Sequence, residues 1–214
     1  MSTKPHTNDI PEERGAGSAP SEQPRRFGYG AAGIGVILLE FIKVAVLAGI
    51  TIGAVRYFIF KPFIVHGASM APNFYENEYL IIDEISYRFK EPARGDIVVL
   101  RNPRKEEEFF LKRVIAMPGE RVVVRDSQVF LAKDKDATLI VLQESYIPSR
   151  EFTPGTVDVT LGDNEYYVLG DNRDASLDSR IFGPIPGENI VGRVLLRGFP
   201  FDRAQRFPVP EYNI

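Results

Sequence analysis

The stretch FFLKRVIAM, residues 109–117, alternates in character and predicts a β-strand. Period two divides its side chains between two faces, Phe110, Lys112 and Val114 on one and Leu111, Arg113 and Ile115 on the other. If either face packs on a core, one cation is buried, and the period does not say which. Burial lowers the pKa of a lysine, whereas an arginine stays charged, so chemistry favours Lys112 as a buried base. The alternative is a lysine at a strand edge whose charged end reaches solvent.

Strand-like runs rich in β-branched and aromatic residues recur on both sides of this stretch, separated by Gly, Pro, Asn or Asp. They are YLIID (79–83), DIVVL (96–100), RVVVRDSQVFLA (121–132), ATLIVL (137–142), EYYVLG (165–170) and IVGRVLLRG (190–198). Turns are predicted at Ala93–Asp96 and Met117–Glu120. The sequence therefore predicts a mainly β fold, an antiparallel β-sheet domain over residues 61–214, with no internal repeat.

Residues 31–60 are apolar except for Glu40, Lys43 and Arg56, and they contain no proline. A helix needs about 20 apolar residues to cross the hydrocarbon, so the span must hold one or more of these charges near its ends. Glu40 and Lys43 lie one turn apart and can partly neutralise each other. We expect a transmembrane helix over residues 31–60. A buried core helix, an amphipathic surface helix and a cleavable signal peptide are the alternatives.

Residues 1–30 are rich in Pro, Gly, Ser, Glu and Arg and have no apolar period, which predicts a disordered tail. Arg25 and Arg26 precede the apolar segment, while Lys61 is the single cation just beyond it. The positive-inside rule then predicts a single-pass protein of the plasma membrane, with a cytoplasmic tail and an extracytoplasmic β domain. The lipid bilayer is therefore an expected partner.

Composition excludes several classes of function. A formal net charge of -3 gives no reason to expect nucleic-acid binding. The chain has no cysteine, which excludes thiol catalysis, disulfides and thiolate metal sites. Its two histidines are His6, in the predicted tail, and His66, which we interpret as structural; a multi-histidine zinc site is not expected. Catalysis must draw on Ser, Lys, Asp, Glu or Tyr, and we expect neither a cofactor nor a metal.

Two further segments carry chemistry. In residues 67–72, GASMAP, small residues precede Ser69 and would let another backbone approach its Oγ; a serine capping a turn is the plain alternative. Residues 170–180, GDNRDASLDSR, form a polar loop after a predicted strand. A calcium loop is one rival interpretation, but Phe182 holds the twelfth position from Asp171, where a bidentate Glu belongs. A solvated turn with surface ion pairs is the other.

In this order behind one apolar segment, the motifs resemble those of the bacterial type I signal peptidases. The patterns are SMxP at residues 69–72, RGDIVV at 94–99, KRVIxxPG[DE] at 112–120 and GDNxxxSxDSR at 170–180. The resemblance extends from the apolar segment to about Arg197. It implies a membrane-bound serine endopeptidase that removes signal peptides with small residues at positions −1 and −3 from exported preproteins.

The resemblance also implies roles for individual residues. Ser69 matches the nucleophile, with its backbone N–H as an oxyanion donor, and Lys112 matches the general base. Four residues would orient the amine or brace the polar loop: Ser176, Asp178, Arg180 and Asp171. Substrate contacts are expected at Phe63, Gly67, Ala68 and Met70.

Two positions depart from the family pattern. Gly67 stands where some members use a serine hydroxyl to bind the oxyanion, and Asn73 stands where Thr is usual. Two rival functions stay open: a serine–lysine peptidase with another substrate, such as a self-cleaving repressor or a pilin-maturation peptidase, and an inactive homologue acting as a membrane-tethered binding module. The joint presence of Ser69, Lys112 and Ser176 disfavours the inactive homologue.

Overall fold

The computed structural model describes residues 31–58, 61–148 and 152–214. The tail predicted over residues 1–30 lies outside the described residues, as do residues 59–60 and 149–151. Helix α1 spans Ala31–Phe58, which at 1.5 Å per residue is about 42 Å long. By length and composition, residues Gly33–Gly53 could cross a membrane, and none of the helix in that window is buried. Lys43 Nζ donates to Glu40 Oε1 at 2.9 Å, so the two charges predicted to neutralise each other are paired.

The rest of the described chain is mainly β. Its strands are β1 Lys61–Ile64, β2 Tyr79–Asp83, β3 Ile97–Asn102, β4 Lys105–Ala116, β5 Arg121–Arg125, β6 Gln128–Ala132, β7 Ile140–Val141, β8 Val157–Thr160, β9 Glu165–Leu169, β10 Ile185–Pro186, β11 Ile190–Phe199 and β12 Gln205–Arg206. One short helix, α2, spans Ser179–Phe182. Every strand pairing among these residues is antiparallel, which confirms the predicted fold class.

The strands form two sheets. The larger sheet has the order β1-β2-β11-β3-β4-β9-β10, with β12 beside β11, and the smaller sheet has the order β7-β6-β5-β8. Strand β4 lies inside the larger sheet, where Arg113 pairs with Ile97 of β3 on one side and with Leu169 of β9 on the other. Lys112, one residue earlier, pairs with Val98 of β3. The strand that carries both cations is therefore held from two sides.

Apolar side chains cover both faces of β4. Val114 packs in a cluster with Val98 and Val168, while Ile115 packs in another cluster with Val122 and Leu169. A third cluster gathers the turn after β1 onto the same sheet and contains Met70, Phe74 and Leu111. Consequently Lys112 and Arg113 are 2% and 3% exposed. The expectation that one of the two cations is buried was too narrow, because both faces of this strand are covered.

Two predicted runs differ from the structure. The run over residues 121–132 is a hairpin of β5 and β6, because Asp126 and Ser127 adopt φ of 52° and 62° and turn the chain. The run over residues 137–142 shortens to Ile140–Val141. Asp134 Oδ1 accepts hydrogen bonds from the backbone N–H groups of Asp136 and Ala137, and this local turn competes with strand pairing. The turns predicted at Ala93–Asp96 and Met117–Glu120 are confirmed by hydrogen bonds of 3.0 Å and 3.2 Å that close them.

Candidate active site

The amine of Lys112 and the hydroxyl of Ser69 lie within hydrogen-bond distance. Lys112 Nζ is 2.8 Å from Ser69 Oγ, and it donates to the carbonyl oxygen of Leu111 at 3.0 Å. The Phe110 ring centroid lies 5.2 Å from the amine, on the same face of β4. The two residues that the sequence singled out as a pair, 43 positions apart, are therefore brought together.

Burial is the main influence on this amine. Desolvation lowers the pKa of Lys112 to about 8, because a charged amine loses its water in this position. The negative charges of Asp178 and Asp171 act in the opposite direction and raise its pKa, while the positive charge of Arg180 lowers it. An amine with a pKa of 8 is about one-tenth neutral at pH 7, so a proton acceptor is available near neutral pH.

Ser69 lies at the start of a turn that follows β1. Gly67 has a φ of +78°, a left-handed conformation that glycine adopts without strain. Phe74 N donates to Met70 O at 2.9 Å and closes the turn. Among the hydrogen bonds of the described residues, none uses the backbone N–H of Ser69. That N–H is therefore free to donate to a ligand.

The polar loop over residues 170–180 packs against the Ser69 backbone. Asn172 N donates to Ser69 O at 3.0 Å, and Asn172 Nδ2 donates to Ala68 O at 3.1 Å. A Cβ added to Gly170 would lie 2.4 Å from Ser69 O and 2.2 Å from Ser176 Oγ, so only glycine fits this close approach. Gly170 is a residue that the motif contains but that sequence reasoning did not assign to the site.

Asp178 and Arg180 form the ion pair that the resemblance led us to expect. Arg180 Nε donates to Asp178 Oδ1 and Arg180 Nη2 to Asp178 Oδ2, each at 2.8 Å. Asp178 Oδ2 also accepts from Gly170 N at 3.1 Å. The pKa of Asp178 is lowered overall: burial raises it, but the hydrogen bonds and charge of Arg180 and the N–H of Gly170 outweigh burial.

Ser176 lies close to Gly170 and to Asp178 of this ion pair. Its Oγ is buried and helps to lower the pKa of Asp178, although its geometry falls short of a regular hydrogen bond. In the described part of the chain, no hydrogen bond joins Ser176 Oγ to Lys112 Nζ. Ser176 therefore lies near the site because Gly170 packs against both Ser176 Oγ and Ser69 O.

On the opposite face of β4, Arg113 holds Asp171. Arg113 Nε and Nη2 donate to the two carboxylate oxygens of Asp171 at 2.8 Å and 2.7 Å. Asn73 Nδ2 donates to Asp171 Oδ2 and to Tyr146 O, both at 2.8 Å. The Arg113 guanidinium lies 3.9 Å from the Tyr146 ring centroid. The departure at Asn73 therefore has a role, because one amide joins the nucleophile turn to Asp171 and Tyr146.

Two acids of the polar loop, Asp171 and Asp178, are engaged by arginines. Asp171 is paired with Arg113, and Asp178 with Arg180. Across residues 31–58, 61–148 and 152–214, no group of three or more His, Cys, Asp or Glu side chains could hold a metal ion. The loop is an arrangement of ion pairs.

A groove lies beside the two paired residues, since its lining includes Phe110, whose ring centroid is 5.2 Å from the Lys112 amine. It has a volume of about 640 Å³ and is lined by Pro62, Phe63, Ile64, His66, Glu107, Glu108, Phe109 and Phe110. It lies between β1 and the first half of β4. Within the described residues β1 pairs with β2 alone, and β4 has no β9 partner before Arg113, so each strand presents an open edge. His66, interpreted from the sequence as structural, is exposed and lines this groove.

The expected substrate-contacting residues divide into two groups. Gly67 and Ala68 are exposed, and Phe63 is half-buried at the groove. The Met70 side chain, by contrast, is 2% exposed, and its Sδ accepts a hydrogen bond from Asp171 N at 3.4 Å. Met70 is buried because it anchors the turn in the core, which leaves its side chain no surface for a substrate.

A family model and the most similar relatives indicate one family. A family model described as "Signal peptidase, peptidase S26" matches residues 38–199. The chain is 37% identical over 175 residues to a probable signal peptidase I-2 of Synechocystis sp., covering 78% of this chain and 75% of that protein. It is 35% identical over 187 residues to signal peptidase I of Leptolyngbya laminosa, covering 82% and 87%. A crystal structure of a signal peptidase I from Enterococcus faecalis is 28% identical with a TM-score of 0.40, covering 49% of this chain and 97% of that one.

Proposed function

The chain belongs to the signal peptidase family, peptidase S26, and from this membership we propose that Ser69 and Lys112 are its catalytic nucleophile and general base. Members of this family act on the signal peptides of preproteins, and this chain is a membrane-associated signal peptidase with one N-terminal apolar helix. The observation that carries the proposed dyad is the 2.8 Å separation of Lys112 Nζ and Ser69 Oγ.

In the acylation step, the neutral amine of Lys112 accepts the Ser69 proton while Oγ bonds to the carbonyl carbon of the scissile peptide. The tetrahedral intermediate then breaks its C–N bond, and Lys112 gives the proton to the leaving amine. The low pKa of Lys112, about 8, supports this assignment, because a base needs a pKa near the working pH. Arg113 cannot serve, since it stays charged and is bound to Asp171.

In the deacylation step, the neutral amine accepts a proton from water as the water oxygen attacks the acyl carbon. The acyl–Oγ bond breaks, the signal peptide leaves with a new carboxyl group, and the proton returns to Ser69 Oγ. No histidine is required, and the exposed His66 makes no hydrogen bond to Ser69 among the described residues.

We assign the oxyanion to the backbone N–H of Ser69. Its lack of a partner within the described chain supports this role, because a pre-set donor costs no reorganisation during the reaction. Gly67 offers no hydroxyl at the position where some family members use one, and its φ of +78° disfavours any other residue there.

The substrate would bind as an added strand in the groove between β1 and β4. Two open strand edges supply main-chain donors and acceptors for an extended peptide. In such a strand, positions −1 and −3 share a face, which would turn toward the floor of the site. Phe63, Gly67 and Ala68 would contact them, and small side chains at both positions would allow the scissile carbonyl to reach Ser69 Oγ.

The proposed topology is a single pass of the plasma membrane, with the N-terminus in the cytoplasm and the β domain on the extracytoplasmic side. Arg25 and Arg26 before the helix, against Lys61 alone just after it, support this orientation. Exported preproteins present their signal peptides on that side.

Cleavage of a preprotein whose signal peptide ends in Ala-x-Ala tests the dyad, using the full chain in detergent. Ser69→Ala and Lys112→Ala should each lower kcat by about 10⁴-fold or more. Lys112→Arg should fail equally, because arginine does not release its proton. Lys133→Ala changes an exposed lysine just after β6; it is the matched control and should cleave at the wild-type rate. Normal processing by folded Ser69→Ala or Lys112→Ala would remove that residue from the mechanism.

A further inference from the structure

A segment from the smaller sheet reaches the polar loop. Glu144 follows β7 and binds the guanidinium of Arg173 through both carboxylate oxygens, with Arg173 Nη1 at 2.7 Å from Glu144 Oε2. The Arg173 side chain is 1% exposed and the Glu144 side chain is 8% exposed. Arg173 Nη1 also donates to Thr153 Oγ1 at 2.7 Å. A buried cation of the polar loop is therefore neutralised by a residue 29 positions away in another part of the fold.

Arg173 connects this acid to the nucleophile. Its Nε donates to the carbonyl oxygen of Gly170 at 3.0 Å. Gly170 is the residue whose α-carbon lies against Ser69 O and Ser176 Oγ, and its N–H is bound by Asp178. The planar guanidinium thus fixes Glu144 on one edge and the Gly170 carbonyl on another. A lysine in its place, with one ammonium group, could not span both.

The same segment makes a second contact with the site. Tyr146 O accepts from Asn73 Nδ2, and its ring lies under Arg113, which holds Asp171. Tyr146 OH also donates to Glu144. Two residues of one segment therefore contact both flanks of the loop, one through Arg173 and one through Arg113.

We propose that Glu144 and Tyr146 are positioning residues for signal-peptide cleavage, with Glu144 fixing Gly170 through Arg173 so that the Ser69 backbone and Ser176 keep their places. The proposal rests on the roles proposed above for Ser69 and Lys112. It gives the segment that follows β7 of the smaller sheet a part in catalysis.

A structural role alone would predict a different outcome from a positioning role. If the pair only neutralised charge, any uncharged pair that folds would restore activity. If it positions Gly170, the double variant would fold but still cleave slowly. A glutamine at position 173 has a single amide group, which cannot hydrogen-bond to both residue 144 and the Gly170 carbonyl oxygen. The two roles therefore separate in a variant that is stable.

The test uses the full chain in detergent and compares Glu144→Gln, Arg173→Lys and the double variant Glu144→Gln with Arg173→Gln. Thermal unfolding is measured first, and then kcat, KM and single-turnover cleavage of a preprotein well below the melting temperature. The double variant guards against loss of folding in Glu144→Gln, which leaves a buried arginine unpaired. Tyr146→Leu tests the Tyr146 side chain, because it removes the ring beside Arg113 and the hydroxyl bonded to Glu144 but keeps the backbone carbonyl that accepts from Asn73.

The expected result for the double variant and for Arg173→Lys is a loss of about 10–100-fold in kcat and in the single-turnover rate, with KM changed less than about threefold. Tyr146→Leu should show a smaller loss of the same kind. The matched control is Asp158→Asn, which breaks an exposed bidentate pair with Arg121 in the same sheet and should leave all rates unchanged.

A double variant that folds and cleaves at the wild-type rate would overturn the positioning role. Ser69→Ala, run in parallel, separates this failure from failure of the dyad. If Ser69→Ala is inactive while the double variant is fully active, only the positioning role is lost. If Ser69→Ala cleaves, the proposed mechanism itself is lost.

Discussion

Two adjacent residues of β4, one on each face of the strand, are both buried, but their pKa values change in opposite directions. Lys112 and Arg113 are buried to the same degree, 2% and 3% exposed, and both lose the water that would stabilise their charge. Burial lowers the pKa of Lys112 to about 8. For Arg113 the effect of burial is outweighed by the hydrogen bonds and charge of Asp171, so its pKa is raised.

The difference between the two faces lies in the partners. Arg113 has a carboxylate bound to it through two hydrogen bonds, whereas Lys112 contacts a hydroxyl and a carbonyl. Asp178 and Asp171, each bound to an arginine, raise the pKa of the lysine but do not outweigh its burial. The positive charge of Arg180 lowers the pKa of Lys112 and so offsets part of the effect of the two acids. One face holds a permanent ion pair, and the other holds an amine that can be neutral.

The largest expected effect is on stability, and it differs between the two faces. Arg113→Met leaves the buried Asp171 carboxylate without its paired cation and should cost about 3–5 kcal/mol of unfolding free energy. Lys112→Met removes an amine whose charge is disfavoured when folded, a penalty of about 3 kcal/mol at pH 6.5. Thermal unfolding at pH 6.5 should place the melting temperature of Lys112→Met at or above that of the wild type, and that of Arg113→Met about 10 °C lower.

The pH dependence of this difference follows from the sign of the pKa change. The folded pKa of Lys112 lies below its ordinary value of 10.5, so the penalty is complete below pH 8 and declines as the pH rises toward 10.5. The stability advantage of Lys112→Met should therefore shrink from pH 7 to pH 10. If both substitutions destabilised the protein equally at pH 6.5, the contrast between the two faces would be wrong.

A smaller effect is expected in the pH profile of cleavage. Because the base must be neutral, kcat/KM should rise about tenfold per pH unit below pH 8 and level off above about pH 9. The variant Arg180→Gln tests how a neighbouring charge affects this profile. It removes a charge that lowers the pKa of Lys112 and frees Asp178, so the profile should move to higher pH.

Arg125→Gln is the control for this profile, since Arg125 is exposed in the smaller sheet and contacts the Phe130 ring. Its profile should match that of the wild type. A profile that is flat from pH 6 to pH 9 in the wild type would contradict a titrating amine as the base. A profile that moves to lower pH in Arg180→Gln would contradict the effect assigned to that arginine.

The sequence was informative where local periodicity and motifs coincide. Period two identified the faces of β4, and the order of the motifs predicted that Ser69 and Lys112 lie together. The burial of both cations could not be read from the same pattern. Alternation assigns side chains to faces, but whether each face is covered depends on which other elements pack there, here Val122 of β5 beside Ile115 and Ile185 of β10 beside Val114.

The residues that support the site show which contacts local sequence patterns cannot predict. Glu144 lies in a stretch with no motif, and its partner Arg173 is 29 positions away, so neither periodicity nor spacing relates them. Arg173 could be seen as part of a polar loop, but not as a buried residue bound to Gly170. Met70 looked like a site residue from its place beside Ser69, and only the packed turn shows that it is an anchor.

The smallest expected effect tests the Asn73 amide, which joins the nucleophile turn to Asp171 and Tyr146. Asn73 Nδ2 donates to both Asp171 Oδ2 and Tyr146 O, whereas a threonine hydroxyl has one proton and can satisfy one of them. Asn73→Thr should therefore cost about 1 kcal/mol of unfolding free energy and lower kcat/KM by less than about tenfold. Asn73→Ala, which satisfies neither acceptor, should lose more on both measures. Threonine and alanine variants with equal melting temperatures and rates would mean that the amide hydrogen bonds do not hold Asp171, and that Arg113 alone fixes it.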